Sequence, residues 1–240
     1  MFLGLLFTAL CGLACARTLE ITDFAEPDAE DDLRPALAKA FAELKKGDTL
    51  FFPPGEYVIR LTKGRLQVPA GVRLLGSGPD SVLRLQSNGG GKDYRAFLSF
   101  ASGSGLQNLR IERAAKFPLV MFPLFGEVSG IFFRGCVIDG RNEEFAGTYC
   151  HVFQVGSGRL EGLEIIDSTV RRASYGLFQA NEATGVVKGV RVERCLFEKN
   201  SSSDLEFNSP RGQMSEILVR DCLFRENRCP SPSAGFAVGF

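Results

Sequence analysis

The sequence predicts an all-β fold, a parallel β-helix (solenoid) preceded by a capping α-helix. The main observation is a repeat: four gapless segments start at Gly130, Gly162, Gly189 and Glu216, separated by 32, 27 and 27 residues. Within each segment apolar residues alternate at period two, which indicates strands. Single copies cannot bury their apolar faces, whereas stacked copies form one continuous core. The repeat therefore predicts a solenoid.

Each segment also contains a break in the alternation, which predicts a bend between two short strands. The residues that follow the break form one column, made of Cys136, Ser168, Cys195 and Cys222. Buried cysteine behaves as a small hydrophobe, and neighbouring rungs offer poor geometry for a disulfide. Because a serine shares the column, we expect free core thiols here.

The pattern predicts a third strand after each bend. These strands are "HVFQV" from His151, "GLFQA" from Gly176, "DLEFN" from Asp204 and "GFAVG" from Gly235. Ahead of the repeats, Leu33, Leu37, Phe41 and Leu44 have the spacing of an amphipathic helix. Such a helix would cover the first rung. We therefore expect an N-terminal cap over residues 17–47 and rungs over residues 48–240.

The segment that follows the helix carries a family resemblance. The run Phe52-Pro53-Pro54-Gly55-Glu56-Tyr57, followed by Leu75-Gly76-Ser77-Gly78, resembles the start of pectate-lyase-superfamily proteins. The resemblance implies a single-stranded right-handed parallel β-helix. That superfamily includes polysaccharide lyases, glycoside hydrolases, epimerases and phage tailspikes. The catalytic signatures of its polygalacturonases, alginate epimerases and classical pectate lyases are missing from this chain, so the resemblance supplies a scaffold rather than an activity.

The two chain ends carry further signals. The first sixteen residues, "MFLGLLFTALCGLACA", form a short apolar run ending in a small-x-small pattern, which predicts a signal peptide over residues 1–16. A lipoprotein anchored through Cys15 is the alternative. We expect a secreted protein, extracellular or periplasmic. The chain ends in a strand-like run, "AGFAVGF", so we also expect that the β-helix is truncated at its C-terminus.

Charge and metal-ligand content restrict the partners. Lysine plus arginine (28) equal aspartate plus glutamate (28), so no global field attracts nucleic acid or an anionic membrane. The run at the N-terminus is too short to span a bilayer. With one histidine and no CxxC pair, a zinc site is not expected. No cofactor is evident, and Ca²⁺ on carboxylates is the cation that would fit.

The candidate site centres on "SSSDLEFNSPRG", Ser201 to Gly212. If Leu205 and Phe207 point inward, strict alternation places Asp204, Glu206 and Asn208 outward. Outward residues on one strand are about 6.6 Å apart. Inverting glycosidases separate their acid and base by roughly 6.5–9.5 Å. Asp204 and Glu206 are therefore candidate acid and base, although rotamers leave the stereochemistry open.

The same alternation adds neighbours from earlier rungs. His151 is a candidate general base, and Phe153 and Phe178 would form an aromatic strip for stacking on sugars. Asn208 and Arg211 would contact the substrate, with Arg211 neutralising a uronate. The competing interpretation is a solvated face, or one covered by a loop or another subunit.

These observations predict a secreted polysaccharide-active enzyme, either a glycoside hydrolase or a polysaccharide lyase, with a glycan held along the β-helix face. The hydrolase version uses the two acids, and the lyase version uses a base such as His151 or Arg211. The alternative is a non-catalytic β-helix, an adhesin, glycan-binding module or subunit of an oligomer.

Overall fold

A computed structural model describes residues 16–25, 32–87, 95–179, 184–207, 211–229 and 235–239. The predicted signal peptide lies outside these residues, apart from Ala16. A short 3₁₀ helix spans Ile21–Asp23, and the helix α1 spans Arg34–Glu43. The helix begins with Pro35 in its first turn, where a missing N–H costs no hydrogen bond. It buries Ala36, Leu37, Ala40 and Phe41, as the apolar spacing predicts.

The strands before the long central pair are short. In chain order they are β1 (Thr18–Glu20), β2 (Thr49–Phe52), β3 (Gly55–Leu61), β4 (Leu66–Val68), β5 (Arg73–Gly76), β6 (Ser81–Ser87), β7 (Arg95–Ala96), β8 (Leu98–Phe100), β9 (Gly105–Gln107) and β10 (Arg110–Arg113).

The remaining strands carry the repeats. They are β11 (Leu119–Arg134), β12 (Val137–Asp139), β13 (Cys150–Ile166), β14 (Thr169–Arg171), β15 (Tyr175–Gln179), β16 (Val186–Glu193), β17 (Leu196–Glu198), β18 (Leu205–Glu206), β19 (Gln213–Arg220), β20 (Leu223–Arg225) and β21 (Val238–Gly239).

The strands pair in parallel between successive rungs, and the predicted parallel β-helix is confirmed as a solenoid of about seven turns. The large sheet runs β1-β2-β5-β9-β11-β13-β15-β18-β21, and β16 and β19 extend the other half of β13. A second sheet runs β20-β17-β14-β12-β10-β6-β3. Since β1 already pairs with β2, the sheet begins within the residues predicted as cap.

The bend between the two sheets has a local cause. One residue per rung adopts a left-handed conformation just before the cysteine and serine column: Gly135, Asp167, Arg194 and Asp221, with φ of 62°, 52°, 51° and 54°. One such residue turns the chain sharply without lengthening the loop. The predicted position of the bend is confirmed.

Side chains that point inward form continuous stacks. The Phe122 and Phe153 rings stack at 5.5 Å, and Phe133 meets Phe153 edge-on at 4.6 Å. Asn200 satisfies the neighbouring rung, accepting a bond from the Ala173 N–H at 2.9 Å. The column cysteines are free, and burial raises the pKa of Cys136 to about 11.

Candidate functional site

The outward face of the large sheet is set by the pairing of β13, β15 and β18. Gln154 pairs with Phe178, and Phe178 pairs with Glu206. These three half-buried residues form one outward row. The inward row beside it contains Phe153, Leu177 and Leu205, and all three are fully buried.

A cluster of rings covers this face. The His151 ring lies 5.0 Å from Tyr175 and 5.2 Å from Phe178, and Tyr175 lies 4.6 Å from Phe178. Tyr149 extends the cluster, with its ring 6.4 Å from that of His151. Tyr149 is 61% exposed, whereas His151 is 8% exposed. The rings meet edge-on or at a tilt, with interplanar angles of 41–84°. They form a partly exposed apolar platform with polar edges, against which the apolar face of a ligand can pack.

His151 is the titratable group at the centre of the platform. Burial disfavours the imidazolium and lowers the pKa of His151 to about 4, although a hydrogen bond with Gln154 opposes part of that effect. At neutral pH the side chain is therefore an uncharged imidazole. The low pKa makes this imidazole a weak base in the free protein. A bound carboxylate beside it would favour the imidazolium and raise the pKa, so that a ligand could then transfer a proton to it.

A pocket of about 310 Å³ adjoins His151. Its walls include Val120, Pro123 and Phe125, and the Phe125 side chain is 40% exposed. Two arginines also line it, Arg65 directly before β4 and Arg95 at the start of β7. The volume lies at the lower end of the range typical of ligand pockets, about 300–1,000 Å³. Apolar walls with two cations suit an anionic ring-shaped ligand.

Glu206 has the outward position that alternation predicts. It is half-buried, and its Oε2 accepts a hydrogen bond of 2.7 Å from the Ser203 hydroxyl. That bond orients the carboxylate, and the strand partner of Glu206 on the preceding rung is Phe178. Leu205 and Phe207 are buried, as predicted.

The prediction that Asp204 points outward is wrong. Its side chain is 1% exposed, and Asn200 donates a 2.6 Å hydrogen bond to its Oδ1. Burial raises the pKa of Asp204, although bonds from Asn200 and Asn227 oppose this. Strict alternation fails because the strand proper begins only at Leu205, so Asp204 still belongs to the turn that Asn200 organises. The two acids thus lie on opposite sides of the wall.

The prediction that Phe153 is exposed is also wrong, because its ring is fully buried in the phenylalanine stack. Phe178 does lie on the outward face, as predicted. Arg211 is exposed in the turn before β19, and Asn208 lies outside the described residues. The functional roles assigned to all seven candidates remain predictions.

Alternation in the sequence missed Tyr149, Tyr175, Arg65 and Arg95. The error was one of register, because "HVFQV" was aligned with "GLFQA" from Gly176, whereas His151 pairs with Tyr175. An alignment that placed Phe153, Leu177 and Leu205 in one apolar column would have corrected the register and found Tyr175. No local pattern marks the two arginines, which reach the face from a distant turn and a short strand.

Two other findings bear on possible ligands. Within the described ranges, no group of three or more histidine, cysteine or acidic residues is placed to hold a metal ion. Calcium binding remains a prediction. Among the helices of the described part of the chain, none has the length and apolar character needed to cross a membrane.

No known protein-family profile matches the chain, and no curated protein matches it. Several solved structures do match the chain. An iota-carrageenase complexed to iota-carrageenan fragments is 16% identical at a TM-score of 0.46, covering 80% of this chain and 51% of that one. A GH82 iota-carrageenase from A. fortis is 12% identical at a TM-score of 0.46, covering 81% and 52%.

A GH87 alpha-1,3-glucanase from Streptomyces thermodiastaticus strain HF3-3 is 14% identical at a TM-score of 0.32, covering 92% of this chain and 68% of that one. The chain spans about half the length of the two carrageenase structures.

Proposed function

We propose that this protein is a secreted, polysaccharide-active protein that binds a uronate-containing glycan across the ring platform of Tyr149, His151, Tyr175 and Phe178. The observation that carries the proposal is the meeting of this platform with the arginine-lined pocket at His151. Aromatic faces stack on the apolar faces of pyranose rings, and guanidinium groups pair with carboxylates.

The chemistry that fits this site is lyase chemistry. In a β-elimination, the neutral imidazole of His151 takes the proton from the carbon next to the uronate carboxylate. The bond to the leaving glycosidic oxygen then breaks, a carbon–carbon double bond forms, and the Tyr175 hydroxyl donates its own proton to the leaving oxygen. The imidazolium gives up the abstracted proton and the tyrosinate regains one through solvent, which restores both groups. Arg65 and Arg95 would stabilise the charge that develops on the carboxylate.

The hydrolase version has weaker support. It needs two carboxyl groups that both face the substrate. Of Asp204 and Glu206, only Glu206 lies on the platform side, because Asp204 is bonded to Asn200 inside the helix.

A non-catalytic glycan-binding module is the second candidate. The observation that favours it is the 8% exposure of His151, because the surrounding rings limit the approach of a reacting carbon. In this version the platform and arginines bind the chain and no bond breaks.

The test is a panel of polygalacturonate, alginate and a neutral galactan, incubated with the protein and followed by ultraviolet absorbance of unsaturated uronate ends. Binding is measured in parallel by calorimetry. We expect uronate glycans to bind and the galactan not to bind. Product that disappears in His151→Gln but persists in Glu206→Gln supports the lyase, whereas binding without product supports the module.

The platform is tested with Phe178→Ala against Phe132→Ala, a matched half-buried phenylalanine on β11 that contacts Arg134 rather than His151. Phe178→Ala should weaken uronate binding about tenfold, as the loss of one ring contact implies, and Phe132→Ala should not change it. Equal affinities for the two variants, or no binding by any glycan, would overturn the proposal.

A further inference from the structure

A second pocket, of about 340 Å³, lies beside Tyr149. Its lining includes the Tyr149 ring, the Asn142 amide and the hydroxyls of Ser174 and Ser201. Because the Tyr149 and His151 rings are neighbours at 6.4 Å, the two pockets are separated by only two adjacent rings. A chain that leaves the arginine-lined pocket can therefore cross Tyr149 into the second pocket.

One wall of this pocket is the loop between β12 and β13, residues 140–149, and a buried arginine holds this loop in place. Arg113 is fully buried and donates to the Phe117 carbonyl at 3.2 Å, to Thr148 Oγ1 at 3.1 Å and to Asn142 Oδ1 at 3.0 Å. Its guanidinium also lies 5.0 Å from the centre of the Phe145 ring. These contacts fix both ends of the loop, so the pocket exists before any ligand binds and little ordering entropy opposes binding.

A second buried charge anchors the start of the same loop. The Asp139 side chain accepts bonds from Arg171 at 2.8 Å and from Arg172 at 2.9 and 2.5 Å. The backbone N–H of Arg141 donates to the same carboxylate at 3.1 Å. Although burial opposes it, these bonds hold the pKa of Asp139 below its usual value. The loop is therefore anchored through an ionised group at neutral pH.

The polar groups of the pocket favour an uncharged ligand. Asn142 Nδ2 donates to the hydroxyls of Ser174 at 2.9 Å and Ser201 at 3.2 Å, which forms a ladder of neutral groups across three rungs. The cations at the rim already face acids, since Arg228 pairs with Glu143, and Lys199 lies 3.8 Å from Glu226. The two pockets also differ in composition, because Arg65 and Arg95 line the first pocket, whereas neutral Asn142, Ser174 and Ser201 line the second.

We infer that the second pocket is a subsite for a hydroxyl-rich, uncharged edge of the same glycan, with Tyr149 as its stacking wall. The inference rests on the proposed function, since it assumes that a glycan occupies the platform. It specifies how the glycan is recognised: the arginine-lined pocket binds a charged group of the glycan, and the pocket beyond Tyr149 binds its hydroxyl groups.

The experiment is calorimetry with the trimer and the hexamer of galacturonate and of alginate, at low and high salt. We expect each hexamer to bind about tenfold more tightly than its trimer, because it reaches the second pocket. Salt should weaken both oligomers and leave their ratio unchanged, since screening acts on the charged contacts and not on the hydroxyl ladder.

Two variants separate the pockets. Ser201→Tyr fills the pocket and should reduce the hexamer-to-trimer ratio to about one while the trimer still binds. Tyr149→Ala removes the stacking wall and also one ring of the platform, so it should weaken both oligomers and reduce the ratio to about one. Leu223→Ala, at a similarly exposed apolar residue on β20, is the control and should keep the ratio.

If the hexamer still binds about tenfold more tightly than the trimer in both variants, or if this difference disappears in high salt, the inference is overturned. The proposed function is not affected by either result. If none of the four oligomers binds the wild-type protein, the proposed function fails and the inference fails with it.

Discussion

The buried histidine makes the stability of this protein depend on pH in a defined window. His151 has a pKa of about 4 in the folded protein, against 6.5 for an exposed histidine. Between these values the unfolded chain binds a proton at His151 that the folded chain does not. The unfolded state is then favoured as pH falls, so stability decreases from pH 6.5 to about 4 and this contribution is constant below that. The pKa difference corresponds to about 3 kcal/mol.

The measurement is urea denaturation of the wild type and of His151→Gln across this window at constant ionic strength. The wild type should lose about 3 kcal/mol more than the variant between pH 6.5 and pH 4. Asp204 acts in the opposite direction, because its pKa is raised by burial. That contribution is common to both proteins and cancels in the comparison. Parallel pH profiles for the two proteins would refute the assignment of a buried neutral imidazole.

Two further predictions concern the charges and thiols of the solenoid. Asp139→Asn should destabilise the protein by about 2 kcal/mol in urea denaturation, because it leaves Arg171 and Arg172 facing a neutral group, although partial exposure of both arginines screens part of the loss. A smaller effect than that of Asp167→Asn, whose pair with Arg194 is exposed, would contradict it. Burial raises the pKa of Cys136 to about 11, so a thiol reagent at pH 8 should label Cys222, which is partly exposed, well before Cys136. Equal labelling rates in the native protein, read by mass spectrometry, would count against the buried thiol.

The fold was predictable because its determinants are periodic in the sequence. A rung of 27 residues places the same residue type at the same point of every turn, so apolar columns, bends and turns are visible as recurring letters. Asn200 illustrates this: an asparagine recurs 27 residues later as Asn227, and both side chains satisfy backbone groups. The rule that fails is strict alternation near a turn, where the backbone no longer has strand dihedral angles.

The site was only partly predictable for the same reason. Glu206 and Phe178 were assigned to the correct face because their two strands were aligned in the observed register. Phe153 was assigned to the wrong face by a register error, and Asp204 because it lies one residue before β18 begins. Arg65 and Arg95, which line the pocket at His151, lie outside the repeated segments that were aligned with one another. Their approach to His151 depends on how early rungs stack on later ones, which no local period encodes.

The burial of Asp204 bears directly on the choice of chemistry. An acid whose pKa is raised, held at 2.6 Å by Asn200 and almost without solvent exposure, is a structural group that organises the turn between β17 and β18. A catalytic acid must instead reach the leaving oxygen of its substrate. Glu206 on the opposite face has no second carboxylate beside it among the described residues of its outward row, which are Gln154, Phe178 and Gly239. The same face instead has the uncharged imidazole of His151 among neighbouring rings, with Arg65 and Arg95 lining the adjoining pocket. This combination supports the proposed proton abstraction beside a carboxylate more than hydrolysis by paired acids.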